Sequence, residues 1–266
     1  MIASPPRPAD AGEEVPLVGL RRISRFYRAD RPALFDVSFD LFRGEFVYVA
    51  GPSGAGKTTL IRLLHLAEIA DTGTLVFAGH DVRDLRREAV AVLRRSMGVV
   101  FQDFRLIPDL TVEANVGLPL EVRGASSRAI RARVAEVLER VGLGGRGRER
   151  ACGLSGGEQQ RAAIARAVVA DPDLLLADEP TGSLDAWSAD HIIGLLESLA
   201  AAGTTVVLAT HDRMLMAAHP HRTIVLDNGR LVGMSSAGGS RRSPPARAAG
   251  DQPPDGTQVA ARGLAG

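Results

Sequence analysis

The stretch from Glu45 to Thr59 reads EFVYVAGPSGAGKTT. Its first six residues are a short run rich in β-branched and aromatic side chains, the composition of a buried strand. From Gly51 to Thr58 it matches G-x-x-x-x-G-K-[ST], and the apolar pattern from Lys57 to Glu68 predicts a helix. A strand that breaks at glycine and re-enters a helix aims consecutive backbone N–H groups at one point, where the helix dipole favours an anion. In a chain this long such a spacing arises by accident on the order of once in a thousand sequences. The stretch therefore reads as a phosphate-binding loop. Lys57 supplies a mobile positive charge and the Thr58 hydroxyl an oxygen for a divalent cation.

Composition singles out the same residue. Lys57 is the only lysine among 32 basic side chains, the rest being arginine. On a solvated surface that exchange costs little. It fails where a compact ammonium must reach an oxygen that a planar guanidinium cannot approach in the same way. Elsewhere composition mainly excludes. The net charge of +1 gives no global field for nucleic acid or an acidic membrane surface. One cysteine, Cys152, forms no internal disulfide and no cysteine-based metal site. The apolar runs around Leu174–Ala177 and Val206–Ala209 fall far short of a bilayer span, and Met1–Pro16 does not resemble a signal peptide. These features predict a soluble, cytoplasmic protein.

Outward from the loop, apolar strand-like runs alternate with helical patterns. Met97–Phe101, Leu174–Ala177, Thr205–Ala209 and Thr223–Leu226 are further buried-strand candidates. Strands separated by helices predict a mostly parallel sheet with right-handed crossovers. Val15–Leu41 holds two alternating runs, an antiparallel β region on the N-terminal side. Residues 111–170 read as purely helical, with Ile130, Val134, Val137, Leu138 and Val141 forming one apolar stripe. The expected organisation is an α/β domain over 17–233 with a helical insertion at about 111–170. The ends, 1–16 and 234–266, are rich in Ala, Gly, Pro, Ser and Arg and are expected to be disordered tails.

Two further motifs carry chemistry. Asp178-Glu179 follows the apolar run Leu174–Ala177, placing two carboxylates at the C-terminal end of a buried strand, where open α/β sheets bind ligands. Asp178 suits a cation; Glu179 suits polarisation of a water. Leu154–Arg161 reads LSGGEQQR, in which Ser155-x-x-Glu158 is a capping box. Two consecutive glycines are poor residues for the first turn of a helix. They make sense where an anion must come close to that N-terminus.

LSGGEQQR resembles the signature of ATP-binding-cassette ATPases. Matching features follow in family order: the phosphate loop, Gln102, the signature, Asp178-Glu179, Ser183-Leu184-Asp185, and His211 after a strand. The resemblance spans about residues 17–233. It implies a P-loop NTPase core that binds and hydrolyses ATP with Mg²⁺. Gly51, Pro52, Ser53, Gly54, Ala55, Gly56, Lys57, Thr58 and Thr59 would hold the phosphates, and Tyr27 would stack on adenine. Thr58, Gln102 and Asp178 would ligate the metal, Glu179 and Gln102 would stand at the attacking water, and His211 would contact the γ-phosphate. Two chains would meet head to tail, Ser155, Gly156 and Gly157 of one clamping the nucleotide of the other, with Asp185 communicating across the dimer. Phe101–Pro108 (FQDFRLIP), Thr111, Val112, Asn115, Val116 and Gly79-His80-Asp81-Val82 are similar to the bacterial cell-division branch of the family. That branch pairs with an integral membrane protein and acts on cell-wall hydrolases. It implies docking near Gln102–Leu110, a peripheral place on the cytoplasmic face of the inner membrane, and no nucleic-acid partner. Lipoprotein-release or macrolide-type export is the alternative, and a soluble non-transport cassette a more distant one.

Weaker features have plainer readings. His219-Pro-His221 is expected to be a polar turn, because it lacks a third metal ligand. Arg146–Arg150 is expected to be a solvated run rather than a nucleic-acid patch, Cys152 a small packed residue, and Trp187 the packing of a helix start. Phe104, Leu106, Ile107 and Leu110 are expected to be partly exposed for a partner.

Overall fold

The computed structural model describes residues 15–28 and 31–235. The expected tails fall outside the described residues, except for Val15 and Pro16 and for Met234 and Ser235, which extend the last strand. In chain order the elements are β1 (Val18–Arg28), β2 (Arg31–Leu41), β3 (Phe46–Ala50), α1 (Lys57–Leu64), β4 (Thr72–Phe77), β5 (His80–Asp81), α2 (Arg87–Arg95), β6 (Met97–Val100), α3 (Val112–Val122), α4 (Ser127–Arg140), α5 (Gly156–Val168), β7 (Leu174–Asp178), α6 (Ala186–Ala201), β8 (Thr205–Thr210), α7 (Arg213–Ala218), β9 (Arg222–Asp227) and β10 (Arg230–Ser235).

The strands form two sheets. One has the order β10-β9-β3-β8-β7-β6, parallel from β9 to β6, with β10 antiparallel at the edge. The other, β2-β1-β4-β5, is antiparallel. The expected architecture stands, and the antiparallel sheet is larger than the sequence showed, because Thr72–Phe77 joins it as β4.

Strand alternation sorts the core into two layers. Val47, Val49, Leu174, Leu176, Val207 and Ala209 face the antiparallel sheet and Leu60, Ile61, Leu63 and Leu64 of α1. Tyr48, Leu175, Ala177, Val206 and Leu208 face the opposite way, onto α5 and α6. Each Val or Leu so buried contributes about 1.5–3 kcal/mol. Val134, Val137, Leu138 and Val141 are buried as expected, with Ile130 half-buried beside them. Residues 111–170 hold three helices and one 3₁₀ turn, and the only β pairing there among the described residues is the isolated bridge Thr111–Arg150.

Several local expectations are corrected. The first helix ends at Leu64, not Glu68. Leu66 takes a left-handed conformation at φ 59°. Its N–H donates to the Leu63 carbonyl (2.9 Å), and the Ala67 N–H donates to the Arg62 carbonyl (2.9 Å). This is a Schellman closure without the usual glycine. Cys152 is exposed, because the 3₁₀ turn Ala151–Gly153 buries Ala151 instead. Trp187 packs no core: it is 78% exposed and stacks on His191 one turn along α6. Phe104, Leu106, Ile107 and Leu110, by contrast, are partly exposed as expected: Phe104 and Leu106 are half-buried against the α5–α6 core, Leu110 is half-buried and Ile107 is exposed.

Candidate functional site

The phosphate loop leaves β3 at Ala50 and enters α1 at Lys57. Gly51 is required by contact: a Cβ there would lie 2.2 Å from the Leu226 carbonyl oxygen of β9. Lys57 is buried, and its ammonium donates to the carbonyls of Gly51 (2.8 Å) and Pro52 (3.2 Å). It also stands 3.6 Å from Glu179 Oε1. A lysine can fold back in this way because its donors sit on one small atom.

Strands β7 and β8 supply the acidic side. Asp178 ends β7 and is buried. Burial pushes its carboxyl above the usual range, opposed by a hydrogen bond with Thr58 and by the charge of Lys57. The next residue, Glu179, adopts φ 51°, a conformation that costs a non-glycine residue on the order of 1 kcal/mol. Its N–H donates to the Ala209 carbonyl of β8 (2.9 Å), which holds the turn. Its Oε1 lies 2.8 Å from Nδ1 of His211, just past β8. With Glu179 ionised, Nδ1 is the protonated nitrogen and donates to it.

These groups share one open cleft of about 820 Å³. Ser53, Gly54, Gly56, Lys57, Thr58 and Thr59 line it from the loop, Asp178, Glu179 and His211 from two strand ends, and Gln102 from the segment after β6. Tyr27, 51% exposed, lines it too, with Arg28 of β1 and Pro32 and Ala33 of β2. Gly51, Pro52 and Ala55 are not among its lining residues; they form the frame of the loop, Ala55 being buried.

Ser155, Gly156 and Gly157 are not brought into this cleft. They open α5, capped as expected: the Ser155 side chain accepts from the Glu158 N–H, and Glu158 accepts from the Ser155 N–H (2.9 Å). Gly157 lies against the Ser183 carbonyl, a neighbour of the cleft wall. Gly156 has ordinary backbone angles for a helix start, and a Cβ there would meet nothing within 4 Å. Among the described residues nothing demands glycine at that position. Asp185 caps α6, accepting from the N–H (2.9 Å) and hydroxyl (2.7 Å) of Ser188.

Oxygen donors dominate around Thr58, Gln102 and Asp178, the set that suits a hard divalent cation completed by phosphate oxygens and water. Among the described residues no group of three His, Cys, Asp or Glu side chains could hold a metal by itself. His219 and His221 are instead bound to carboxylates. His219 contacts Asp190 (2.7 Å) and Glu197 (3.1 Å), and His221 contacts Glu197 (2.8 Å). In the arginine run, Arg146 is paired with Glu149 and Glu158.

Two residues have supporting roles that the sequence reading did not assign. Asn115 is fully buried on α3; its Oδ1 accepts from the Ile107 N–H (2.7 Å), and its Nδ2 donates to the carbonyls of Ile107 (3.0 Å) and Thr111 (3.1 Å). Arg166 on α5 donates to the carbonyls of Phe104 (2.8 Å) and Arg105 (2.5 Å), both left-handed residues. Together they hold the segment after Gln102. The signal was there for Asn115, one of only two asparagines in the chain. No helix among the described residues is long and apolar enough to cross a membrane.

Comparison with known proteins adds four findings. The family described as ABC transporter matches residues 34–182. The cell division ATP-binding protein FtsE of Streptococcus pneumoniae (strain D39) is 45% identical over 222 residues, covering 84% of this chain and 96% of that one. FtsE of Escherichia coli K12 is 43% identical over 217 residues, covering 82% and 98%. A dimeric post-hydrolysis structure of the ATP-binding cassette MJ0796, bound to ADP and Pi, superposes with a TM-score of 0.79 at 36% identity, covering 84% of this chain and all of that one.

Proposed function

The chain belongs to the ABC transporter family of ATPases, and from that premise we propose that residues 17–233 form the ATP-hydrolysing subunit of an FtsE-type membrane complex. ATP turnover would drive an FtsX-like integral membrane partner in cell division and in control of cell-wall hydrolases. The observation that carries the catalytic half is the convergence of Lys57 and His211 on Oε1 of Glu179, beside Asp178 and Thr58. The identity to FtsE over nearly its whole length supports the division reading over export.

In this reading the loop N–H groups and Lys57 bind the phosphates of ATP. Thr58, Gln102 and Asp178 would hold Mg²⁺, which neutralises charge on the β- and γ-phosphate oxygens. Glu179 accepts a hydrogen bond from the attacking water and takes its proton as oxygen bonds to the γ-phosphorus and the bond to the β–γ bridging oxygen breaks. His211 fixes the Glu179 carboxylate through Nδ1–H. Tyr27 stacks on the base.

The second half of the site comes from another copy. Ser155, Gly156 and Gly157 would approach the γ-phosphate of the partner chain, which accounts for a glycine at 156 that nothing among the described residues requires. The membrane partner would dock on the segment Gln102–Leu110 at the cytoplasmic face of the bacterial inner membrane, with exposed Ile107 as the apolar contact.

Glu179→Gln tests the shared site. ATP binding should persist while hydrolysis slows by about a hundredfold or more, the contribution of a positioned base, so that dimer accumulates in size-exclusion chromatography with MgATP. Normal hydrolysis, or bound ATP on a monomer at micromolar concentration, would refute it.

A further inference from the structure

The end of β1 is tied to the segment after α1 by a cluster of charged groups that the reading above leaves unused. The Tyr27 hydroxyl donates to Glu68, 2.7 Å from both carboxylate oxygens. Glu68 also accepts from Arg25 Nε (3.0 Å) and from Arg62 Nη1 (3.3 Å). Burial opposes the charge on Glu68, and the hydrogen bonds from Tyr27, Arg25 and Arg62 overcome it, holding its carboxyl below the usual range. One step along, Asp71 accepts from the Phe26 N–H (2.7 Å) and pairs with Arg25 (3.1 Å). The Arg25 guanidinium lies 5.2 Å from the Tyr27 ring centre.

We propose that Glu68 is a positioning residue for the nucleotide base: by holding the Tyr27 hydroxyl it fixes that ring as a platform at a set place relative to the phosphate loop. The proposal rests on the ATP-binding reading. Tyr27 is half exposed in the cleft's lining, so packing alone does not set its rotamer. Glu68 follows directly on the left-handed turn that closes α1, and α1 begins at Lys57. The hydroxyl is thereby referenced to the same helix whose N-terminus faces the phosphates. A ring immobilised before binding spares the ligand the cost of ordering it, worth about fivefold in affinity for a side chain of this kind.

The experiment is calorimetric titration of wild type, Tyr27→Phe, Glu68→Ala and the double variant with MgATP and, separately, with magnesium tripolyphosphate, which has phosphates but no base. MgATP should bind about fivefold more weakly to either single variant, and tripolyphosphate as it binds to wild type. In the Tyr27→Phe background Glu68→Ala should add less than about twofold, because the two changes remove one interaction. Equal losses for both ligands would make Glu68 a support of the loop and overturn the proposal. So would an undiminished effect of Glu68→Ala on top of Tyr27→Phe. Tyr27→Phe leaves the Arg25–Glu68 and Arg62–Glu68 ion pairs in place, so it decides the matter even where Glu68→Ala fails to fold: wild-type ATP affinity in that variant refutes the tether. A wild-type protein that binds neither ligand would instead remove the ATPase reading itself.

Discussion

Replacing Asn115 by Ala should destabilise the protein by about 2–3 kcal/mol and release the segment after Gln102. Asn115 makes three close bonds, one accepted from the Ile107 N–H and two donated to the carbonyls of Ile107 and Thr111, besides a long one of 3.5 Å to the Leu110 carbonyl. A protein hydrogen bond contributes about 1 kcal/mol net, more where a buried partner is left unsatisfied. Thr111 O keeps its helical bond from the Asn115 N–H, so its loss is the smallest of the three. For a domain of this size each kcal/mol lowers the melting temperature by about 2–4 °C, so the expected drop is about 5–10 °C. Asn115→Asp is the sharper control. It keeps an acceptor for the Ile107 N–H but turns a second oxygen toward two carbonyls, and should cost more than Ala. Thermal melts and denaturant titration read both variants, and a binding measurement should show ATP affinity retained, since Asn115 is not among the cleft's lining residues. A loss below about 1 kcal/mol in Ala, or an Asp variant as stable as wild type, would refute the hydrogen-bond account.

Lys57→Arg should impair ATP hydrolysis at least about a hundredfold, because the planar guanidinium cannot fold back onto the Gly51 and Pro52 carbonyls and still serve a phosphate; wild-type phosphate release by the purified variant would contradict this. Ile107→Asp should abolish recruitment to membranes carrying the FtsX-like partner while changing stability by less than about 0.5 kcal/mol, as expected for an exposed position. Co-sedimentation with such membranes checks it, and an unfolded variant or one that still sediments would move the docking surface elsewhere.

The parallel strands were legible because strands buried on both faces are short continuous apolar runs, and β3, β6, β7 and β8 lie within a residue or two of where those runs stand. What the sequence concealed depends on pairing over distance. Thr72–Phe77 carries no strong pattern of its own and becomes a strand because β1 is there to pair with it. The end of α1 was missed because its left-handed closure uses Leu66 rather than glycine. Trp187 was misread because an aromatic at a helix start is usually buried, and here it rests on His191 in solvent. Most cleft residues were legible, since they carry motif spacing. Their supports were not: Tyr27 and Glu68 lie 41 positions apart, and no local pattern joins them. The argument from rarity that singled out Lys57 applies equally to Asn115. Each is a residue that a composition biased against its type retains where no substitute makes the same bonds.

The cleft follows from strand order. Four adjacent strands, β3, β8, β7 and β6, end on the same side of one sheet. Their ends lead into the phosphate loop, His211, Asp178-Glu179 and the segment carrying Gln102. Neighbouring strands lie about 4.8 Å apart, so four ends fit within about 14 Å, the reach of one small ligand. The second sheet contributes Tyr27 and Arg28 at the end of β1 and Pro32 and Ala33 of β2, and under the proposal above Tyr27 is held there by a separate tether. The signature belongs to no strand end. It opens α5 outside the cleft, and among the described residues nothing crowds Gly156. Under the proposed function it is a half-site, a helix start suited to phosphate that its own chain's cleft does not use. Under the head-to-tail reading a second copy of the chain supplies the missing half for each, and ATP bound between them makes two incomplete surfaces into two complete sites.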